Sequence, residues 1–169
     1  MENEKPYGMG VFIDIYPYDG LGTTEKEAVT YGMKGDRLSS LCYQSTREHF
    51  AIETTTSLFR KIIKYPIFIG SKLIGKDYFQ KKLNQLVELK EYEDSNYIGC
   101  IVWLSGGKKE IFLRKWFDET IMVPFEKYQF RVPKDYDEVL RHTYGDYMQL
   151  PPEKDRIGHH YFKAYRKDE

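Results

Sequence analysis

Gly10–Gly20 reads GVFIDIYPYDG, and the reading of the fold starts there. Val11–Ile15 is β-branched and aromatic around a single acid, which predicts a short strand. Pro17, Asp19 and Gly20 predict the loop that ends it. Strand alternation places Asp14 on the face opposite Ile13 and Ile15. A carboxylate inside a sheet must meet a cation, a metal ion or N–H donors, or else sit at a solvated edge. The residues alone leave these alternatives open. Asp19 beside Gly20 reads as a turn residue capping its own backbone rather than as a ligand.

Outward from this stretch, Thr24 and Glu27 have the spacing of a capping box and predict a helix that continues toward Arg47. Ala28, Tyr31, Leu38, Leu41 and Cys42 recur at roughly helical spacing, whereas Gly32 and Gly35 argue against the helix. Leu58–Lys76 is apolar and basic without an acid, and Pro66 is expected to break or kink it. Arg60, Lys61, Lys64, Lys72 and Lys76 suit peripheral contact with an anionic membrane, and equally a packed helical hairpin with a solvated basic edge. Asp77–Tyr92 predicts a helix whose stripe of Phe79, Leu83, Leu86 and Leu89 or Lys90 packs one face inward.

After the turn YEDSN, Tyr97–Leu104 predicts a buried strand ended by Gly106 and Gly107. Thr120–Pro133 predicts a hairpin around Glu126 and Lys127, with Pro124 and Pro133 at its margins. Asp135–Tyr144 predicts a short helix stopped by Gly145, with an extended tail beyond. Helices and strands mix without a βαβ rhythm, so the fold class is α+β, with a small mixed sheet and flanking helices in a single domain over 1–169.

Acidic and basic residues balance at 26 each, so no overall field favours a nucleic-acid partner. Cys42 and Cys100 lack metal or disulfide spacing and read as reduced thiols. No leader pattern or membrane span stands out, and a cytoplasmic location is expected. Nucleophile elbow, HExxH and GxGxxG motifs are absent from the sequence. SGGKKE, Ser105–Glu110, lacks phosphate-loop spacing and reads as a turn. His142 and Asp146 stand four apart, but Gly145 intervenes. His159 and His160 are adjacent and, if extended, point opposite ways, which disfavours a shared metal. Arg156 offers a bidentate guanidinium to an anion, or is simply a surface residue.

Taken together, GVFIDIYPYDG, then WFDETIMVPFEKYQFRVPKDYDEVLRHTYGDYMQLPPE (Trp116–Glu153), then RIGHHYFKAY (Arg156–Tyr165) resemble the LicD family of bacterial choline phosphotransferases, relatives of fukutin and the fukutin-related protein. The resemblance covers essentially the whole chain, in order. It implies a nucleotidyltransferase-like fold, of which this chain holds a part. It also implies transfer of phosphocholine or a similar phospho-alcohol from a CDP-linked donor to a surface glycan such as polysaccharide, lipopolysaccharide or teichoic acid, at the inner face of the membrane. Mg2+ would bridge the donor phosphates.

Asp14 matches the family's third carboxylate, catalytic and metal-binding, and Arg156, His159 and His160 match a substrate-binding region. The family's aspartate-rich DDDID-like strand lies upstream of the matching segment and has no counterpart here. The chain therefore reads as the C-terminal portion, truncated at its N-terminus. A noncatalytic glycan-binding or partner-binding remnant and a nucleotide-sugar glycosyltransferase are the competing readings.

Overall fold

The structure is a computed structural model that describes residues 14–50, 58–104, 107–150, 152, 153 and 156. Asp14–Tyr18 has no ladder partner, and the first strand, β1, is Asp19–Gly22. Of the expected strand Val11–Ile15, residues 11–13 lie outside the described residues, and Asp14 and Ile15 are not in a strand: Ile15 is 88% exposed, and among the described residues pairing starts at Asp19, which was read as a turn residue. The reason lies in residues 88–96, the segment between the third helix and the second strand. Gly20 sits against the Glu91 carbonyl and the Ser95 hydroxyl, where an added Cβ would come within 2.5 Å of both. The small residues of DGLG, not the bulky ones of VFIDI, fit beside that wall. The Ser95 hydroxyl also accepts from the Gly22 N–H at 3.2 Å and donates to the Glu91 carbonyl at 2.9 Å, which pins the strand end.

Helix α1, Glu25–Thr46, has the first half of the capping box, the Thr24 hydroxyl accepting from the Glu27 N–H at 3.3 Å, whereas Glu27 Oε2 reaches one residue further back and accepts from the Thr23 N–H at 3.0 Å. Gly32 and Gly35, read as helix-weakening, lie inside it and are buried. They bring α1 close to the chain after β2, since a Cβ on Gly32 would meet Leu104 and one on Gly35 would meet the Ile101 carbonyl. Helix α2, Leu58–Ile74, carries Pro66 within its span, and α3, Lys76–Val87, follows after Gly75, whose φ of 87° turns the chain. Phe79, Leu83 and Leu86 of α3 are buried, as their spacing predicts, whereas Leu89 lies past the end of that helix and is 70% exposed.

Strand β2 is shorter than expected, Tyr97–Gly99, because the chain turns at Ile101 and Val102. It pairs antiparallel with β1 on one side and with β3, Ile111–Leu113, on the other. The order is β1-β2-β3, so this sheet is antiparallel rather than mixed. Leu21, Ala28, Leu86, Ile101, Leu104 and Ile111 form the core beneath it. Each of the leucines and isoleucines contributes about 1.5–3 kcal/mol by leaving water.

Strands β4, Thr120–Phe125, and β5, Tyr128–Pro133, form the expected hairpin, with Glu126 at φ 53° in the turn. Helix α4, Tyr136–Tyr144, ends at Gly145, φ 73°, whose N–H donates to the Arg141 carbonyl at 2.8 Å. Helices beside small antiparallel sheets make the fold α+β.

Candidate functional site

Strand β3 alternates its side chains between two cavities, one on each side of it. Ile111 and Leu113 face a cavity of about 240 Å³ that also holds Glu25, Lys108, Trp116 and His142. Its charges are already matched. Lys108 Nζ lies 2.8 Å from Glu25 Oε1 and, through that hydrogen bond and its charge, holds the Glu25 carboxyl below its usual range. His142 Nε2 lies 2.9 Å from the Lys108 carbonyl oxygen, and its ring meets Phe112 and Trp116 edge-on.

Phe112 faces the other cavity, of about 310 Å³. Four parts of the chain converge on it: Tyr16 and Tyr18 from the approach to β1, Cys100 and Trp103 from the turn after β2, Glu110 and Phe112 at β3, and Tyr144 from α4. Its floor is tightly built. Phe112 is buried, Tyr18 stacks on it at 5.3 Å between ring centres, and Phe117 meets both rings edge-on. Its rim is open, with Trp103 and Tyr144 more than half exposed.

Glu110 brings the polar feature of this cavity. Its Oε2 is buried and has no hydrogen-bond partner among the described residues. Its charge adds to burial in raising the Tyr16 and Tyr18 phenols, for which burial is the largest cause; for Tyr16, Asp14 comes next, and for Tyr18, Cys100. Burial likewise pushes the Cys100 thiol up. The tyrosines and the thiol therefore keep their protons, and the cavity is lined by aromatic side chains, by Val139, Leu140 and Thr143 of α4, and by Glu110, whose unmatched oxygen lies buried behind the lining. A buried oxygen left unmatched is costly and calls for a partner.

Asp14 is exposed and lies two residues before Tyr16, which lines the aromatic cavity; after burial its charge is the next cause that raises that phenol, but Asp14 is not itself among the residues lining the cavity. Arg156 is exposed, and its backbone N–H donates to the Glu153 carbonyl at 3.2 Å. His159 and His160 lie outside the described residues. Among the described residues no group of three or more His, Cys, Asp or Glu side chains is placed to hold a metal ion, so they do not by themselves fit a magnesium site around Asp14.

Sequence reading missed Glu110 and the aromatic ring around it. SGGKKE was compared only with a phosphate loop, and its last residue is the one that matters here. The available signal was the wealth of aromatic residues, 16% of the chain, which a packed core alone does not absorb.

No family model matches the chain, and no solved structure matches it. Over 157 residues the chain is 32% identical to the lipopolysaccharide cholinephosphotransferase LicD of Haemophilus influenzae, a match that takes in 92% of this chain and 57% of that protein. The chain thus spans a little over half the length of that relative. Identity at this level along nearly the whole chain agrees with the three motif segments in their order, and the chain belongs to the LicD family.

Proposed function

We propose that this chain is part of a LicD-type phosphotransferase that moves phosphocholine from a CDP-linked donor to a cell-surface glycan. The observation that carries this reading is the 32% identity over 157 residues to a lipopolysaccharide cholinephosphotransferase. In the reaction the acceptor hydroxyl attacks the choline-bearing phosphorus, the bond from that phosphorus to the bridging oxygen breaks, CMP leaves, and the hydroxyl proton passes to a base. Asp14 is the catalytic and metal-binding carboxylate in this reading, and Arg156, His159 and His160 bind substrate. Mg2+ is the cofactor proposed, within a nucleotidyltransferase-like fold. The described residues supply Asp14 without companion ligands for that ion.

The competing readings, a noncatalytic glycan-binding or partner-binding module and a nucleotide-sugar glycosyltransferase, have no comparable support. A direct test joins this chain to the part of the Haemophilus relative outside the matched residues and follows methyl-labelled CDP-choline. Label reaching lipopolysaccharide supports the proposal. A folded chimera that never consumes the donor contradicts it.

The same reading places the protein on the inner face of the membrane, with α2 as the contact. No helix among the described residues is long and apolar enough to cross a membrane. Helix α2 instead leaves apolar side chains in water: Phe59 and Ile62 are each 71% exposed and Leu73 is 83% exposed. The span Leu58–Lys76 has basic residues and no acid to oppose anionic headgroups.

A further inference from the structure

The cavity over Phe112 has a composition that selects among ligands. It is at the small end of ligand pockets, which run from about 300 to 1,000 Å³, so it suits a headgroup rather than a whole nucleotide. Five aromatic side chains, Tyr16, Tyr18, Trp103, Phe112 and Tyr144, line it together with Val139, Leu140 and Thr143, and Tyr18 and Phe112 are fixed by stacking on each other. Its unmatched polar atom, Glu110 Oε2, is an acceptor without a donor among the described residues. A primary ammonium or a guanidinium would need several acceptors around it. A quaternary ammonium has no N–H to satisfy and is stabilised by aromatic faces with a negative charge nearby.

We propose that Tyr16, Tyr18, Trp103, Phe112 and Tyr144 form an aromatic cage for a quaternary ammonium group, with Glu110 as its counter-charge. This deepens the proposed function and rests on it for the source of the cation, the choline headgroup of the donor. Asp14 lies two residues before Tyr16 in the chain. The neighbouring cavity cannot serve in this way, since Lys108 already occupies the Glu25 carboxylate.

The test is binding, not transfer. The chain with Trp116→Phe, which leaves Trp103 as the fluorophore, is titrated with tetramethylammonium, choline and the uncharged 3,3-dimethylbutan-1-ol. Saturable change with both cations, and at least about tenfold weaker response to the neutral alcohol, is expected. Glu110→Gln should weaken tetramethylammonium binding by about tenfold or more while leaving the free protein about as heat-stable, because the oxygen it alters has no hydrogen-bond partner among the described residues to lose. Tyr144→Ala, at the exposed rim, should weaken it too and serves if the Glu110 variant does not fold. Absence of saturable binding, equal binding of the neutral alcohol, or unaltered binding by both variants overturns the cage.

Two further arms separate the sources of the cation. CDP-choline should displace tetramethylammonium, and a short-chain phosphatidylcholine should not; displacement by the lipid alone overturns the assignment to the donor. Cation binding without phosphocholine transfer would leave the cage standing and remove the transferase. Transfer of a neutral phospho-alcohol without cation binding would do the reverse.

Discussion

Glu27 and Lys90 join the start of α1 to the end of the chain segment after α3 through a salt bridge between Glu27 Oε1 and Lys90 Nζ. The other oxygen of Glu27 accepts from the Thr23 N–H, and Lys90 lies 5.1 Å above the Tyr31 ring, whose hydroxyl donates to the Leu86 carbonyl. Capping box, ion pair and core are thereby one connected unit.

Thr24→Ala removes the cap and should lower stability by about 1 kcal/mol, read as a urea midpoint. The Lys90 hydrogen bond, then that of Thr23, hold the Glu27 carboxyl below its ordinary 4.5. A lowered carboxyl contributes stability above its unfolded value and loses it as pH falls through the folded one. Lys90→Met should therefore destabilise at neutral pH, and the difference should shrink on acidification to about pH 3. A difference independent of pH would contradict this.

Gly35→Ala tests the close approach of α1. Helix propensity alone favours alanine by about 1 kcal/mol. Its methyl would run into the Ile101 backbone carbonyl, which cannot rotate away, and overpacking costs about 1–3 kcal/mol. Net destabilisation by thermal unfolding is expected, and a stabilised variant would show that α1 sits further from the β2 turn.

Asp19 is a carboxyl in the first strand whose pKa burial raises above its ordinary 3.8. A raised carboxyl binds its proton more tightly when folded, so its contribution is favourable below the unfolded value and is lost as pH rises through the folded one. Asp19→Asn should thus melt higher than the parent at neutral pH, with the gap closing in acid. Circular dichroism melts at several pH values measure it.

Vesicle sedimentation tests α2. The protein should pellet with anionic vesicles more than with zwitterionic ones, less so in high salt, and Leu73→Glu should cut the bound fraction severalfold. Equal binding to both vesicle types, or none, would remove this contact.

Much of the fold was legible because its signals are local. Thr24 and Glu27 announce α1, Phe79, Leu83 and Leu86 announce the inner face of α3, Glu126 and Lys127 mark a hairpin turn, and Gly145 marks a helix stop. The first strand was not legible, since its position depends on the wall made by Glu91 and Ser95, some seventy residues away. Gly32 and Gly35 misled for the same reason: their value lies in a partner that local sequence does not name. Asp14 was found through the strand-like run around it, although it stands outside any strand. The cavity around Glu110 draws on residues from 16 to 144, and no spacing rule links them.

If the proposed transfer moves phosphocholine and not a sugar, the nucleotide released reports it. With the chimera, CDP-choline and lipopolysaccharide, CMP release matched by phosphocholine on the glycan is expected, reduced at least about a hundredfold by Asp14→Asn. A folded chimera that leaves CDP-choline intact, or that transfers a sugar from a nucleotide-sugar donor, would contradict it.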